Sequence, residues 1–411
     1  MTVRIIQGDC REVLPTLAPD SVHSIVTDPP YHLKHRGGAP TGRGDGTPFS
    51  RARAGATSRG FMGREWDGGD VAFDVAMWRE CWRILKPGGY LLAFGGTRTC
   101  HRLACAIEDA GFEIRDRIRF ECEPETKYGA LWASLDETQR GALLELLNDQ
   151  VGLGSELAWM YGSGFPKSKN LKGEWKGWGS ALKPAYEPII VARKASAENL
   201  YDNLSLHGCG ALNINGCRVP VRDADYARNC SGDRGHAENR DRDMNFKMTC
   251  GKASPLGRWP ANVIHDGSEA VVTSFPRAAG ARSPVRGVEA SRPTKNTFGS
   301  FGRIAASAPI RDDVGSAARF FYSAKASPAD RNVGGENPHE TVKPTALMRY
   351  LVRLVTPPGG TTLDQFAGSG STGHAADIEG FDAILIENDP KNVALCKRRV
   401  RGDMPLFSEA V

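Results

Sequence analysis

Short apolar runs alternate along this chain with longer stretches in which apolar residues recur every three or four positions. The short runs have the pattern of buried strands, and the longer stretches have that of helices packed on one face. Strands and helices in alternation favour a parallel sheet covered by helices on both faces. We therefore predict an α/β fold with a doubly wound, largely parallel sheet. The predicted strands are 24–27, 90–94, 114–120, 157–161, 361–363 and 383–386, and the predicted helices are 74–85, 98–110, 343–356 and one beginning near His374.

Two stretches depart from this alternation. Residues 131–147 have helical spacing but interrupt the path to the next strand, so we interpret about 121–156 as a helical insertion, with oligomer contact as its first candidate role. After Lys194, Gly, Asn, Arg and Asp dominate through residue 311, which predicts a recognition region rather than more sheet. At 411 residues the chain exceeds one ordinary domain. The predicted division is a core formed by 1–194 and 316–411, with 195–315 inserted as the recognition region.

The tetrapeptide Asp28, Pro29, Pro30 and Tyr31 directly follows the apolar run 25–27. An exocyclic amine on a nucleobase is a poor nucleophile because its lone pair is delocalised into the ring. The Asp28 carboxylate and the Pro29 carbonyl can each accept one N–H and so localise that lone pair. Tyr31 can stack on a base turned out of a duplex. The alternative interpretation is a rigid exit from a strand, with Tyr31 packed on the surface.

A glycine-rich turn follows the predicted strand 361–363. Such a turn between strand and helix lets a cofactor approach the backbone and the helix N–H groups. The next strand ends at Glu387, where a carboxylate can accept hydrogen bonds from ribose hydroxyls. Phe366 precedes the glycines, and each of the two strands carries an acid. This combination suits a cofactor that contains adenosine but no pyrophosphate, which indicates S-adenosylmethionine (SAM). Any glycine-rich strand-to-helix turn is the alternative.

Together these segments resemble one family, the DNA amino-methyltransferases of the β arrangement, in which the catalytic tetrapeptide precedes the recognition region and the cofactor loop comes last. The resemblance implies a Rossmann-like methyltransferase core with permuted motif order. Gln365 departs from the pattern, since most relatives carry Pro there. The segments that carry the resemblance are 7–10, 28–31, 83–94, 339–344 and 364–373, while 160–169, 177–179 and 187–194 are similar to a phage-type and prophage-type subgroup.

The resemblance assigns roles to individual residues. The catalytic residues are Asp28, Pro29, Pro30 and Tyr31. In this family the turn at Asp9 reads the cofactor's adenine, and the segment 339–344 wraps its methionine end. The expected SAM-binding residues are Asp9, Cys10, Asp28, His339, Thr341, Lys343, Asp364, Phe366, Ala367, Gly368, Ser369, Gly370, Ser371, Thr372, Glu387 and Asn388.

The implied activity is methyl transfer from SAM to the 6-amino group of a flipped adenine in double-stranded DNA, by an enzyme that is expected to be a homodimer. An acid in the first position of the tetrapeptide favours adenine, because relatives that act on the 4-amino group of cytosine usually carry Ser there. Cytosine stays an alternative, as does a DNA-binding regulator that kept the fold and lost the chemistry. A third alternative is an amine methyltransferase acting on RNA or on glutamine in a protein, although those relatives usually carry Asn first.

Local charge predicts where DNA binds, because a net charge of +5 is too small to argue for a global basic field. Arginines crowd the glycine-rich stretch directly behind the tetrapeptide, where a loop could close on phosphates. Lysines interleave with Trp175 and Trp178 in a second stretch. A solvated linker is the alternative for the first stretch, and core tryptophans are the alternative for the second. The predicted DNA contacts are Arg36, Arg43, Arg51, Arg53, Lys167 and Lys169.

The sequence has neither a long apolar run nor a signal-peptide pattern, so we expect a cytoplasmic protein without a membrane span. Its 10 cysteines include no C-x-x-C pair, which fits reduced thiols better than a disulfide framework. A zinc site could be assembled from the cysteines and histidines between 207 and 250, but their spacing matches no standard ligand pattern. We therefore predict no metal.

Overall fold

The computed structural model describes residues 1–31, 70–114, 156–161, 173–178, 182, 185–221, 256–277, 315–324, 328–333, 335–339 and 342–401. In this part of the chain, strands form one sheet. Its strands are β1 (Val3–Gln7), β2 (Val22–Thr27), β3 (Leu85–Phe94), β4 (Phe112–Ile114), β5 (Glu156–Met160), β6 (Tyr186–Lys194), β7 (Val263–His265), β8 (Tyr322–Ser323), β9 (Thr361–Asp364) and β10 (Asp382–Glu387). Their order is β1-β10-β9-β2-β3-β6-β5-β7-β8, and β4 pairs with β6.

Most strand pairs are parallel, which confirms the predicted fold class. Strands β1, β10, β9, β2 and β3 run in one direction. Strand β6 is the exception, since it pairs antiparallel with β3, β4 and β5. The first residues of β6 consequently lie beside the carboxyl ends of the parallel strands.

Helices cover both faces of the sheet. Along β2, Ile25 packs in one core and the next residue, Val26, packs in the other, because successive side chains of a strand point to opposite faces. Trp78 belongs to the first core and Leu351 to the second. The helices are α1 (Cys10–Val13), α2 (Val75–Ile84), α3 (Cys100–Asp109), α4 (Leu200–His207), α5 (Glu269–Val272), α6 (Pro328–Arg331), α7 (Thr345–Val355), α8 (Ser371–Glu379) and α9 (Pro390–Arg401).

One expectation about the inserted region is wrong. Val263–His265 was expected to lie outside the sheet, but it forms β7 and pairs parallel with β5. A strand of three residues is too short for an alternating pattern to reveal it. The domain boundaries stay a prediction, and the proposed insertion at 121–156 lies almost entirely outside the described residues, as does the end of the strand expected at 114–120.

Within the described ranges, the structure contains no helix that combines the length and the apolar character required to cross a bilayer.

Candidate functional site

A cavity of about 610 Å³ opens at the carboxyl ends of the central strands. Open α/β sheets bind ligands at this edge. Seventeen of the predicted site residues line the cavity, and these come from both ends of the chain. They are Asp9, Cys10, Asp28, Pro29, Pro30, Tyr31, His339, Lys343, Asp364, Phe366, Ala367, Gly368, Ser369, Ser371, Thr372, Glu387 and Asn388.

Asp28 directly follows β2 and faces the cavity. Its Oδ1 accepts a hydrogen bond of 2.9 Å from the Tyr31 hydroxyl, and its Oδ2 lies 3.0 Å from the Lys343 ammonium. The Tyr31 carbonyl accepts from the Thr99 hydroxyl at 2.9 Å, which anchors the end of the tetrapeptide. A carboxylate oxygen has two lone pairs, so each Asp28 oxygen retains capacity to accept a further donor.

Lys343 stands on the tetrapeptide side of the cavity. Its three ammonium hydrogens match three acceptors: Asp28, the Tyr31 hydroxyl at 3.0 Å, and Glu187 at 2.9 Å. Burial alone would lower the pKa of this amine, but the charges of Asp28 and Glu187 raise it above the ordinary value. Lys343 is therefore a buried cation that pairs with the tetrapeptide carboxylate, and its expected contact with the cofactor stays a prediction.

Glu187 is a site residue that sequence reasoning missed. It lies near the start of β6 and lines the cavity because that strand runs against its neighbours. The same sequence in a parallel strand would place Glu187 at the opposite edge of the sheet. The available signal was an acid beside Pro188 at the start of an apolar strand, which does not reveal strand direction.

Asp364 connects the cofactor loop to the strand that bears Asp28. Its oxygens accept hydrogen bonds from the Thr27 hydroxyl at 2.7 Å, the Thr372 hydroxyl at 2.6 Å and the Phe366 N–H at 3.0 Å. Burial raises the pKa of the Asp364 carboxyl to about 6, although these hydrogen bonds lower it. Asp364 lines the cavity, but most of its hydrogen-bonding capacity serves to hold β2, the loop and α8 together.

The glycine-rich turn requires backbone conformations that other residues rarely adopt. Gly368 has φ +53° and Gly370 has φ +80°. A Cβ at Gly370 would lie 3.1 Å from the Cys396 Cα, so this glycine allows close packing against α9 and does not line the cavity. The Gly368 N–H donates to Glu387 at 2.7 Å, and the Asp389 N–H donates to the same carboxylate at 2.9 Å. Burial raises the pKa of Glu387.

Two serine hydroxyls at the cavity wall rest on a buried guanidinium. Arg399 donates to Ser371 at 2.7 Å and to Ser369 at 3.2 Å. Because each hydroxyl accepts from Arg399, its own proton is directed elsewhere. Burial lowers the pKa of Arg399. The sequence pattern did not single out Arg399, since it is one of several basic residues in α9.

Asp9 occupies the N-cap of α1 and accepts from the Arg11 N–H at 2.9 Å. The hydrogen bond from the Arg11 guanidinium lowers the pKa of Asp9. Cys10 is buried beside it, and burial raises the pKa of its thiol to about 12. Cys10 therefore contributes a small apolar surface to the cavity and not a reactive thiolate.

Gln365 lies at the position where the family pattern has Pro, and its side chain is buried. Neither its amide oxygen nor its amide nitrogen has a hydrogen-bond partner within the described part of the chain. An unpaired buried amide is costly, so this departure from the pattern stabilises nothing that the structure describes.

Several predicted residues lie outside the described ranges. They are Thr341, Arg36, Arg43, Arg51, Arg53, Lys167 and Lys169. Trp175 and Trp178 are described and are exposed, so they are not core residues. Among the described residues, no group of three His, Cys, Asp or Glu side chains is placed to hold a metal ion.

The sequence profile of the DNA methylase family N6_N4_Mtase matches residues 22–398, which include the tetrapeptide, the cofactor loop and Glu187. The chain belongs to this DNA methylase family. It is 25% identical over 222 residues to the type II methyltransferase M.HindIII of Haemophilus influenzae, covering 48% of this chain and 61% of that protein. It is 30% identical over 131 residues to the type II methyltransferase M.HinfI of H. influenzae, covering 30% of this chain and 33% of that protein.

The chain thus spans less than two thirds of the length of these curated relatives. Among solved structures, the M1.HpyAVI–SAM complex matches with a TM-score of 0.40 and 12% identity, covering 97% of this chain and 99% of that one. PvuII DNA methyltransferase (cytosine-N4-specific) matches with a TM-score of 0.40 and 13% identity, covering 97% and 86%.

Proposed function

We propose that this protein is a SAM-dependent DNA methyltransferase that methylates the 6-amino group of an adenine flipped out of double-stranded DNA. The observation that carries the proposal is that Asp28, Gly368 and Glu387 line one cavity. Thr27 and Asp364 are 337 positions apart in sequence, yet they are hydrogen-bonded at 2.7 Å. This contact supports the proposal that an acceptor site and a cofactor site adjoin each other.

The residues of the glycine-loop side fit SAM. The Glu387 carboxylate accepts three hydrogen bonds from the protein, which leaves about one of its four lone-pair sites for a ribose hydroxyl. Phe366 offers an aromatic surface at the cavity wall. Ser369 and Ser371 have hydroxyl protons that Arg399 leaves available to a carboxylate. The volume of about 610 Å³ lies within the range of small-molecule sites. When bound, SAM supplies a methyl group on a positively charged sulfur.

The tetrapeptide side fits an aromatic amine. Asp28 accepts one N–H of the amine and the Pro29 carbonyl accepts the other, so the nitrogen lone pair is directed away from the ring system. Tyr31 keeps Asp28 oriented through its hydroxyl and presents its ring to the cavity. Fixed acceptors of this kind stabilise charge as it develops and require no reorganisation during the reaction.

Adenine is the proposed base because Asp stands first in the tetrapeptide. The test is to incubate the protein with labelled SAM and unmethylated DNA and to digest the DNA to nucleosides. We expect label in N6-methyladenine. Label in N4-methylcytosine would overturn the choice of base, and unlabelled DNA would overturn the enzymatic function.

Asp28→Ala is the matched variant for this assay. Transfer should fall by about 10²- to 10⁴-fold because the amine loses its principal acceptor. Calorimetry should give a SAM affinity close to that of the unaltered protein, because Asp364, Glu387 and the serines are retained. Loss of SAM binding together with transfer would show that Asp28 serves the cofactor and not the amine.

The proposed partners are double-stranded DNA and a second copy of the chain, and the proposed location is the cytoplasm. Arg36, Arg43, Arg51, Arg53, Lys167 and Lys169 are the proposed phosphate contacts. Replacing these residues one at a time should weaken binding to all DNA sequences about equally and reduce its salt dependence. Light scattering of the full chain tests the dimer.

A further inference from the structure

Glu187 contacts neither the glycine-rich loop nor the backbone of the tetrapeptide through any hydrogen bond that the structure describes. Its side chain is mostly buried at the cavity, and its Oε2 accepts from Lys343 at 2.9 Å. A buried carboxylate is costly unless it is paired. The pairing explains why Glu187 is tolerated there, but it does not explain why the site contains two carboxylates and one ammonium.

The number of acids matters because it sets the total charge of Asp28, Glu187 and Lys343. Asp28 and Lys343 alone would form a neutral pair, and the ammonium would draw electron density from the carboxylate that must accept the amine. With Glu187 the three ionised groups sum to one negative charge. Glu187 also supplies the third acceptor for the ammonium, which fixes its direction toward Asp28 and Tyr31.

We propose that Glu187 is a positioning residue for methyl transfer, which offsets the charge of Lys343 so that Asp28 faces the amine as a net anionic acceptor. This inference rests on the proposed function. In the reaction the amine lone pair forms the N–C bond while the C–S bond breaks, and the sulfur retains that electron pair. The nitrogen becomes positive and passes one proton to Asp28, from which it leaves to water. A net negative site stabilises the positive nitrogen more than a neutral site does.

The test compares Glu187→Gln with Glu379→Gln. Glu379 is also a shielded carboxylate, bound by Arg349 at 2.6 Å and by Arg353 at 2.5 Å, but it does not line the cavity. We expect kcat to fall about 10- to 100-fold in Glu187→Gln, with the KM for DNA little changed, and kcat to be retained in folded Glu379→Gln.

A pH profile of kcat distinguishes an electrostatic role of Glu187 from a purely structural role. The other titratable groups around Asp28 and Glu187 in the described residues are Tyr31, Tyr161, Lys343 and Asp364. In Glu187→Gln the positive charge of Lys343 is offset by one carboxylate instead of two, so the acidic limb of kcat should move to lower pH. A loss of kcat without movement of this limb would overturn the proposal and leave Glu187 as a structural residue.

A binding experiment provides a readout that does not depend on turnover. SAM is cationic at sulfur, and S-adenosylhomocysteine is neutral there. Calorimetry should show that Glu187→Gln reduces the preference for SAM over S-adenosylhomocysteine by about 3- to 10-fold, since the site loses its net negative charge. An unchanged preference would contradict the charge argument, even if kcat fell.

A double variant keeps the inference testable if Glu187→Gln folds poorly. Lys343→Met combined with Glu187→Gln restores the net charge of −1 on Asp28, so it should transfer faster than either single variant. Additive losses would overturn the proposal. If the unaltered protein transfers no methyl group at all, the proposed function fails, whereas normal transfer by Glu187→Gln refutes only the role of Glu187.

Discussion

Two buried lysines stand at opposite edges of the same sheet, and they differ in what surrounds them. Lys343 is 8% exposed and pairs with two carboxylates that are 22% and 18% exposed. Lys194 is 7% exposed and pairs with Asp20, which is 50% exposed. Lys194 also donates to the Leu85 carbonyl at 2.7 Å and lies 4.2 Å from the centre of the Trp82 ring.

Because both lysines are buried to a similar extent, burial of a charge does not by itself identify a functional site. Lys194 ends β6 and fastens that strand to the amino end of β3 through the Leu85 carbonyl. It also pairs with the half-exposed Asp20, which precedes β2. Lys343 lies at the carboxyl ends of the strands, where two shielded acids face a cavity. The balance of charge and the edge of the sheet distinguish the two lysines, while their exposure does not.

The largest effect should come from Lys343→Met. It removes the ammonium that holds Asp28 and Tyr31 in place and leaves two like charges facing each other. We therefore expect transfer to fall by about 10²- to 10⁴-fold, although the site becomes more negative. The free energy of unfolding should fall by about 3–5 kcal/mol, because an uncompensated buried charge is strongly destabilising. Labelled-methyl transfer and urea unfolding measure the two effects. If Lys343→Met transferred methyl groups at the normal rate, Lys343 and Lys194 would not differ in their effect on the reaction.

Lys194→Met is the matched control. The Leu85 carbonyl loses a buried donor, while the half-exposed Asp20 can be hydrated, so the free energy of unfolding should fall by about 1–3 kcal/mol. Transfer per folded molecule should equal that of the unaltered protein. Urea unfolding followed by an activity assay below the transition checks both. A specific loss of transfer would show that the opposite edge of the sheet also acts on the chemistry.

Asp364 differs from Asp28 and Glu187 because it has no cation among its hydrogen-bond partners in the described residues. Those partners are two hydroxyls and an amide N–H. Its pKa is raised from 3.8 to about 6 in the folded protein, so the folded state binds more protons than the unfolded state between these values. Stability from this group is therefore present below pH 4 and lost as the pH rises to 6. The loss is roughly 3 kcal/mol.

Asp364→Asn should lack that component of the pH dependence. Urea unfolding of both proteins from pH 4 to pH 8 measures the difference between them as a function of pH. A constant difference would contradict the raised pKa. The variant should also bind SAM more weakly, since an amide cannot accept from both threonines as a carboxylate does.

The smallest effect is expected for Asp20→Asn. A half-exposed ion pair contributes about 0–1 kcal/mol to stability, since water replaces much of the interaction. Thermal melting at low and high salt measures this contribution, which should shrink as salt rises. A loss as large as that of Lys343→Met would show that exposure of the partner acid does not set the strength of these pairs.

The fold and half of the site could be predicted because they depend on local pattern. Strands such as β2 read as buried apolar runs, and the parallel arrangement then brings Asp28 and Glu387 to one edge. Glu187 could not be predicted, because its place depends on the direction of β6. The ion pairs of Lys343 with Asp28 and Glu187 could not be predicted either, since the sequence does not reveal where a long side chain ends. Its contact with the cofactor stays a prediction.

Asp364 accepts hydrogen bonds from Thr27, which precedes the tetrapeptide, and from Thr372, in the first turn of α8. These hydrogen bonds join β2, the loop and α8 at the floor of the cavity, so the three elements cannot separate without breaking shielded hydrogen bonds. Spent cofactor has to leave through the mouth. Variants that break the hydrogen bonds of Asp364 should therefore disturb the alignment of the two halves of the cavity without speeding the release of spent cofactor.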